Sequence, residues 1–233
     1  MTDLRAAELK ILAGGSTTGW MNELAAQFEP TPGHTLVIHF DSTPNLIKQA
    51  TSGAPFDLAV VPVDVFKDTA ARARFAPGPT VDIARVGYGV IIRTGAPTPD
   101  IGTSEALKKT LLGAASIAFV PESAAGAHVL RTFDRLGIGE AMKAKTRPQA
   151  MPAQIAPSVA KGEAELGVFL VNVLIAPGVE LVGPFPPELQ QELAFTAAVA
   201  ADSKDAEASR AFIDFLTTPA AKAVIKAKGM NPG

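Results

Sequence analysis

Leu9-Lys10-Ile11-Leu12-Ala13-Gly14-Gly15-Ser16-Thr17 passes from a short apolar run into a glycine pair and two hydroxyls. An apolar run of this length suits a buried strand, and the glycines allow close backbone approach where it ends. A helical pattern follows, with Met21, Leu24, Ala25 and Phe28 on one face. Thr35 to Phe40 forms a second strand, and Asp41-Ser42-Thr43-Pro44-Asn45 repeats the polar turn. Pro44 stands where a first helical turn tolerates proline, and Leu46, Ile47 and Ala50 continue that helix. Leu58 to Val61 is a third strand, followed by Pro62 and another helix. Short apolar strands alternating with helices imply a parallel sheet covered on both faces.

Further along, Pro77, Gly78 and Pro79 mark a break before a longer strand, Val86 to Ile92. The alternation then resumes. Strands are expected at Ile117 to Val120, Leu166 to Leu170 and Val179 to Val182. Helices are expected at Ala124 to Leu136 and Gln154 to Lys161. Leu193 to Ala200 is a strand that returns the chain to its first lobe. Ala206 to Leu216 and Ala220 to Lys228 are the closing helices. The expected architecture is therefore α/β with two lobes, residues 1–83 plus 198–233 and residues 84–197. Each lobe is expected to be a mostly parallel sheet flanked by helices, with two crossing strands as the hinge.

Composition narrows the function. The 233 residues are 47% apolar and 19% charged, an ordinary globular balance. The net charge is −2 and there is no Lys/Arg block, which argues against a nucleic-acid partner. An anionic ligand is compatible, because a pocket needs only a few aimed donors. The chain has no cysteine, so disulfides, thiolate metal sites and cysteine nucleophiles are absent. No apolar run reaches the roughly 18 residues that span a bilayer. Met1 to Lys10 is polar and lacks a signal-peptide core. Either the chain is cytoplasmic or a leader has been removed.

Three turns are candidate ligand sites. Gly15, Ser16 and Thr17 end the first strand, and Ser42 and Thr43 end the second. At each, hydroxyls and the first amides of a helix point to one spot that the helix dipole makes favourable for an anion. The competing reading is that these hydroxyls cap their helices. In open α/β sheets ligands gather beyond the carboxyl ends of strands, which favours a site shared by the two turns. Ser123, Gly126 and His128 form the third turn. His128 is either a donor to a carboxylate or a partly exposed helix histidine. Arg85 precedes the proposed crossing strand, where a guanidinium suits a two-bond clamp on a carboxylate. His39 and Asp41 flank Phe40 and share one face of their strand. Phosphate-loop, dinucleotide-binding, zinc-protease and serine-hydrolase motifs are absent, and His34, His39 and His128 lack metal-ligand spacing. No cofactor is expected.

Several segments together resemble the periplasmic molybdate-binding proteins of ABC importers, over almost the whole length. They are Ile11 to Ser16, Phe40 to Leu46, Gly53-Ala54-Pro55-Phe56-Asp57-Leu58, Lys161 to Val168 and the C-terminal helices. The resemblance implies a two-lobed periplasmic-binding-protein fold of type II. It also implies a periplasmic location, an ABC permease partner and a monomer that closes on a small anion in an inter-lobe cleft. In that family a serine in the first loop and one in the second contact the oxyanion, and Ser16 and Thr43 fall on those positions. The family's oxyanion-contacting tyrosine is Leu170 here, and one backbone donor falls on or beside Pro152, which has no N–H. Gly183 to Leu189 and Lys226 to Pro232 resemble a divergent branch that includes sequences similar to aconitate isomerase. These departures favour an organic carboxylate over molybdate.

Two functions follow. One is an extracytoplasmic solute-binding protein for a small anion. The alternative is an isomerase of an unsaturated tricarboxylate, which needs one group to take a proton and another to return it. His128, His39, Asp41 and Glu122 are its candidate carriers. A regulator's effector domain is disfavoured by the lack of a DNA-binding helix-turn-helix segment.

Overall fold

The computed structural model describes residues 6–30 and 33–233. Of the polar start, Met1 to Arg5 lie outside the described residues. The chain divides into two compact units, Met1–Arg85 with Ala194–Gly233, and Val86–Leu193.

Unit 1 begins with β1 (Glu8–Gly14), α1 (Thr18–Phe28), β2 (Thr35–Asp41), α2 (Thr43–Thr51), β3 (Leu58–Pro62) and the short α3 (Thr69–Arg72). Next comes β4 (Val81–Val86). Unit 2 holds β5 (Tyr88–Arg93), α4 (Ser104–Gly113), β6 (Ile117–Phe119), α5 (Ala124–Arg135), α6 (Gly139–Lys145) and β7 (Thr146–Pro148). It continues with α7 (Ile155–Ala160), β8 (Leu166–Leu170), α8 (Val171–Leu174) and β9 (Val179–Pro184). The chain then returns to the first sheet through β10 (Leu193–Val199), α9 (Ala206–Leu216), α10 (Pro219–Ala227) and β11 (Asn231–Pro232).

Both sheets are mixed, which corrects the expectation of mostly parallel ones. In the order β11-β4-β10-β3-β1-β2, β1 pairs parallel with β2 and β3, while β10 runs antiparallel to β3. In β7-β6-β8-β5-β9, β6 is parallel to β7 and β8, and β5 is antiparallel to β8 and β9. β10 and β5, each the strand by which the chain enters a unit, run antiparallel to a member of the β-α repeat. The expected single strand from Val86 to Ile92 is two strands, parted at Gly87, one in each sheet. The changeovers fall at Arg85/Val86 and Leu193/Ala194 rather than at 83/84 and 197/198.

The core of unit 1 forms where apolar periodicity turns inward. Trp20, Met21, Leu24, Ala25 and Phe28 are the buried side of α1. A second cluster joins Leu12, Leu46, Ala50, Phe56, Ala59, Val61 and Phe75. The Trp20 indole N–H, buried in the core, donates to the Met230 sulfur at 3.2 Å. This contact fastens α1 to the C-terminal segment and satisfies a polar group that would otherwise cost free energy to bury. In unit 2, Tyr88, Phe119, Phe133 and Phe169 are all fully buried.

Two glycines are set by close approach. A Cβ on Gly14 would lie 2.8 Å from a Phe195 ring carbon, so packing inside unit 1 requires glycine at this turn. On Gly126 a Cβ would lie 1.9 Å from the Val120 carbonyl oxygen. Gly126→Ala is therefore expected to cost about 3 kcal/mol by overpacking. The thermal midpoint should fall by roughly 6–12 °C for a chain of this size. Gly113→Ala, with nothing within 4 Å of the added carbon, should leave it nearly unchanged.

Candidate functional site

Seven parallel pairs join β1 to β2, from Glu8 opposite Thr35 to Gly14 opposite Asp41. The two strands therefore end side by side, and their polar turns emerge at one edge of the sheet. Ala13 stands opposite Val60 on the other side, so β3 ends close by at Pro62. A 3-10 turn over Gly15–Thr17, the start of α2 at Thr43 and a 3-10 turn over Val63–Lys67 all open from this edge. Free amides and aligned peptide dipoles make such an edge electropositive. Ser16 and Thr43 are each 8% exposed.

Thr17 and Ser42 stand at helix starts without acting as ordinary caps. Among the described residues, no side-chain cap bond is made at Thr17 for α1 or at Ser42 for α2. Thr17 is fully buried and its hydroxyl donates back to the Gly14 carbonyl at 2.7 Å. Thr18 does the same to Gly15 at 2.8 Å. These bonds tighten the first turn.

The second turn is organised by Asp41. One carboxylate oxygen accepts the Ser42 N–H at 2.7 Å and the Asn45 amide at 2.8 Å. The other accepts from Gln49 at 3.0 Å and lies 3.3 Å from His39 Nε2. Gln49 also stands 2.7 Å from that imidazole nitrogen. Partial burial pushes the Asp41 carboxyl upward, but the donors Asn45, Ser42 and His39 together overcome it and hold the pKa below the usual carboxylate range. Asn45 and Gln49 were not singled out from sequence. Their spacing of four and eight residues from Asp41 puts them on one side of α2, a signal that a helix-face reading contains.

Of the other candidates, Arg85 belongs to unit 1, and Ser123, His128, Leu170 and Glu122 belong to unit 2. Arg85 pairs with Asp82 at 2.6 Å, with both side chains about half exposed. Its strand is separated from β1 by β10 and β3. The guanidinium is engaged by a carboxylate of its own strand rather than by either turn. In unit 2, Ser123 caps α5: its hydroxyl accepts the Gly126 N–H at 2.9 Å and donates to the Val120 carbonyl at 2.8 Å. Leu170 ends β8 opposite Tyr88 and is wholly buried, so its side chain is core. Glu122 is exposed.

His128 differs from a partly exposed helix histidine, because it is only 4% exposed. Its ring lies on Tyr88, with centroids 4.4 Å apart. Tyr88 is held in turn by Gln190, whose side chain accepts the Tyr88 N–H and donates to its carbonyl, both at 2.8 Å. Neither ring nitrogen of His128 has a hydrogen bond of full geometry. The Leu189 backbone and Gln191 side chain stand near enough to favour the charged ring. Burial outweighs them, with repulsion from Arg131 and then Arg135, and holds the pKa below the ordinary 6.5.

A neutral buried imidazole makes stability depend on pH. The unfolded chain binds a proton near pH 6.5 and the folded chain resists it until lower pH. Stability is thus complete above about pH 6.5 and declines as the pH falls towards the lowered folded pKa. The thermal midpoint of the native chain should drop through this window. His128→Phe, which keeps a ring on Tyr88 and removes the titration, should flatten the curve there.

Comparison with known proteins agrees with this architecture. The model of the bacterial extracellular solute-binding protein family matches residues 9–231. An aconitate isomerase from Pseudomonas sp is 30% identical over 243 residues, covering 99% of this chain and 92% of that protein. The molybdate-binding protein ModA of Azotobacter vinelandii is 30% identical over 232 residues, covering 97% and 90%. The solved periplasmic molybdate-binding protein of Azotobacter vinelandii superposes with a TM-score of 0.79 at 22% identity, over 95% of this chain and 98% of that one. With two α/β units and a family match across nearly its whole length, the chain belongs to the bacterial extracellular solute-binding proteins, in their molybdate-binding-like part.

Proposed function

We propose that this chain is a receptor of ABC-type uptake that captures a small organic carboxylate at the paired turns of unit 1. The observation that carries the reading is the β1–β2 register, which sets Ser16 and Thr43 at the same sheet edge. Aimed hydroxyls and helix-start amides hold a carboxylate by charge-assisted bonds without a full positive charge. At positions that the resemblance to molybdate-binding proteins makes oxyanion contacts, two residues favour carboxylate over molybdate. Leu170 offers no hydroxyl, and Pro152, at the head of a 3-10 turn, has no N–H. A tetrahedral dianion with several oxygens left unbonded would be poorly held. An extracytoplasmic location and an ABC permease as partner belong to the same reading.

A second reading is favoured by one pair of residues and one relative. His39 and Asp41 lie 3.3 Å apart, the contact of a base with its orienting carboxylate. The Pseudomonas relative bears the name aconitate isomerase. An isomerase would take a proton from the carbon beside one double-bond carbon and return it to the other, so the double bond moves and the proton count is unchanged. His128, buried and held neutral, is a poorer carrier than His39.

Thermal shift with molybdate, tungstate, malate, citrate and cis- and trans-aconitate tests the reading. A carboxylate should stabilise the chain more than either metal oxyanion. Ser16→Ala and Thr43→Ala should each weaken its binding by roughly tenfold or more, as expected for a lost charge-assisted bond. The best carboxylate, incubated with the chain and followed by NMR, should stay intact. Its conversion to an isomer would establish the enzyme instead, and His39→Ala should then abolish that conversion.

A further inference from the structure

The second turn carries a feature that a simple anion cradle lacks. Its first amide, Ser42 N–H, is taken by the Asp41 carboxylate at 2.7 Å. Pro44, in the first turn of α2, has no N–H at all. A ligand arriving at this turn therefore meets fewer donors than an ordinary helix start offers. It also meets a permanent negative charge, because four neighbouring groups (Ser42, Asn45, Gln49 and His39) surround the carboxylate. These contacts fix its position as well as its charge, since each oxygen is held by two of them.

We infer that Asp41 is a specificity-determining residue, a fixed charge beside the second turn that admits single carboxylate groups and turns away compact dianions. This rests on the proposed anion site at Ser16 and Thr43. The physical reason is the distribution of charge. A molybdate or sulfate concentrates two charges within one small tetrahedron, and both feel Asp41 at short range. A di- or tricarboxylate carries one charge per group and spreads the rest along its skeleton. Repulsion grows with the charge brought near, so the penalty is larger for the compact dianion. Asp41 need touch no ligand atom to act in this way.

The test compares the full-length chain with Asp41→Asn and Asn45→Ala. Binding of molybdate, sulfate, citrate and cis-aconitate is measured by calorimetry at low and at moderate salt. Asp41→Asn removes the charge and keeps a polar side chain of similar shape. Asn45→Ala removes one of the carboxylate's donors and leaves its charge. The expected result is that Asp41→Asn raises molybdate and sulfate affinity relative to the carboxylates by roughly tenfold at low salt. The gain should shrink as salt screens it. Asn45→Ala should keep the native preference. If carboxylates bind and Asp41→Asn leaves the ratio unchanged, the inference fails and the anion site stands. If Asn45→Ala shifts the ratio equally, order of the turn rather than charge sets the preference, and the inference fails. Tighter native binding of molybdate than of any carboxylate would also overturn it. If none of the four anions binds either the native chain or Asp41→Asn, the anion site itself falls, and the inference with it.

Discussion

Parallel pairing of β1 with β2 ends with Gly14 opposite Asp41, and the placement of every group at the candidate site depends on that register. A slip of one residue would reverse the face of each side chain and put Lys10 on the side that Leu9, Ile11 and Ala13 now bury. Burial of those residues resists the slip, so hydrophobic packing positions the polar turns. Gly14 shows the same coupling from the other side. It is glycine because Phe195 and Pro62 pack against its Cα, yet it is also the residue from which the first turn departs. Packing requirements and site geometry meet in one residue.

Unit 2 uses its polar residues differently. Ser123 spends its hydroxyl on closing α5, and Gly126 lets that helix start against the Val120 carbonyl. Gln190 bonds both backbone groups of Tyr88, serving as one more rung beside β5. His128 is packed on that tyrosine with neither nitrogen fully bonded, a buried polar group whose cost rises when it is charged. Hydroxyls, glycine and histidine at a helix start resemble a ligand cradle in sequence, and here they do the work of a cap and a core.

Much of the architecture was legible in the residues because the β-α repeat writes its period plainly. The buried side of α1 holds the four residues that its spacing predicted, with Trp20 added. The third strand, Leu58 to Pro62, is buried at every position, as its unbroken apolar run implied. Strand direction was less legible, since an apolar run looks alike in parallel and antiparallel pairs. The division at Gly87 was hidden because Val86 to Ile92 is an unbroken run without charge, and a glycine alone does not announce a change of sheet. α4 was passed over although Thr103 caps it and Leu107 and Leu111 lie four apart on its buried side. Among site residues, the two turns of unit 1 could be placed together by their strand ends. The pairing of Arg85 with Asp82 is local, three residues apart in one strand, whereas the burial of His128 depends on tertiary neighbours that no local pattern specifies.

The central claim is that the sheet edge beyond β1 and β2 receives the ligand. Unit 2 also has an open groove of about 920 Å³ lined by Phe119, Phe133 and Met142, so a small molecule has another place to go. Amide chemical shifts recorded by NMR during a titration with citrate or cis-aconitate separate the two directly. The account predicts that the largest changes fall on Gly15 to Thr18 and on Ser42, Thr43 and Asn45. Changes centred on Phe119, Phe133 and Met142, with the turns of unit 1 unmoved, would contradict it.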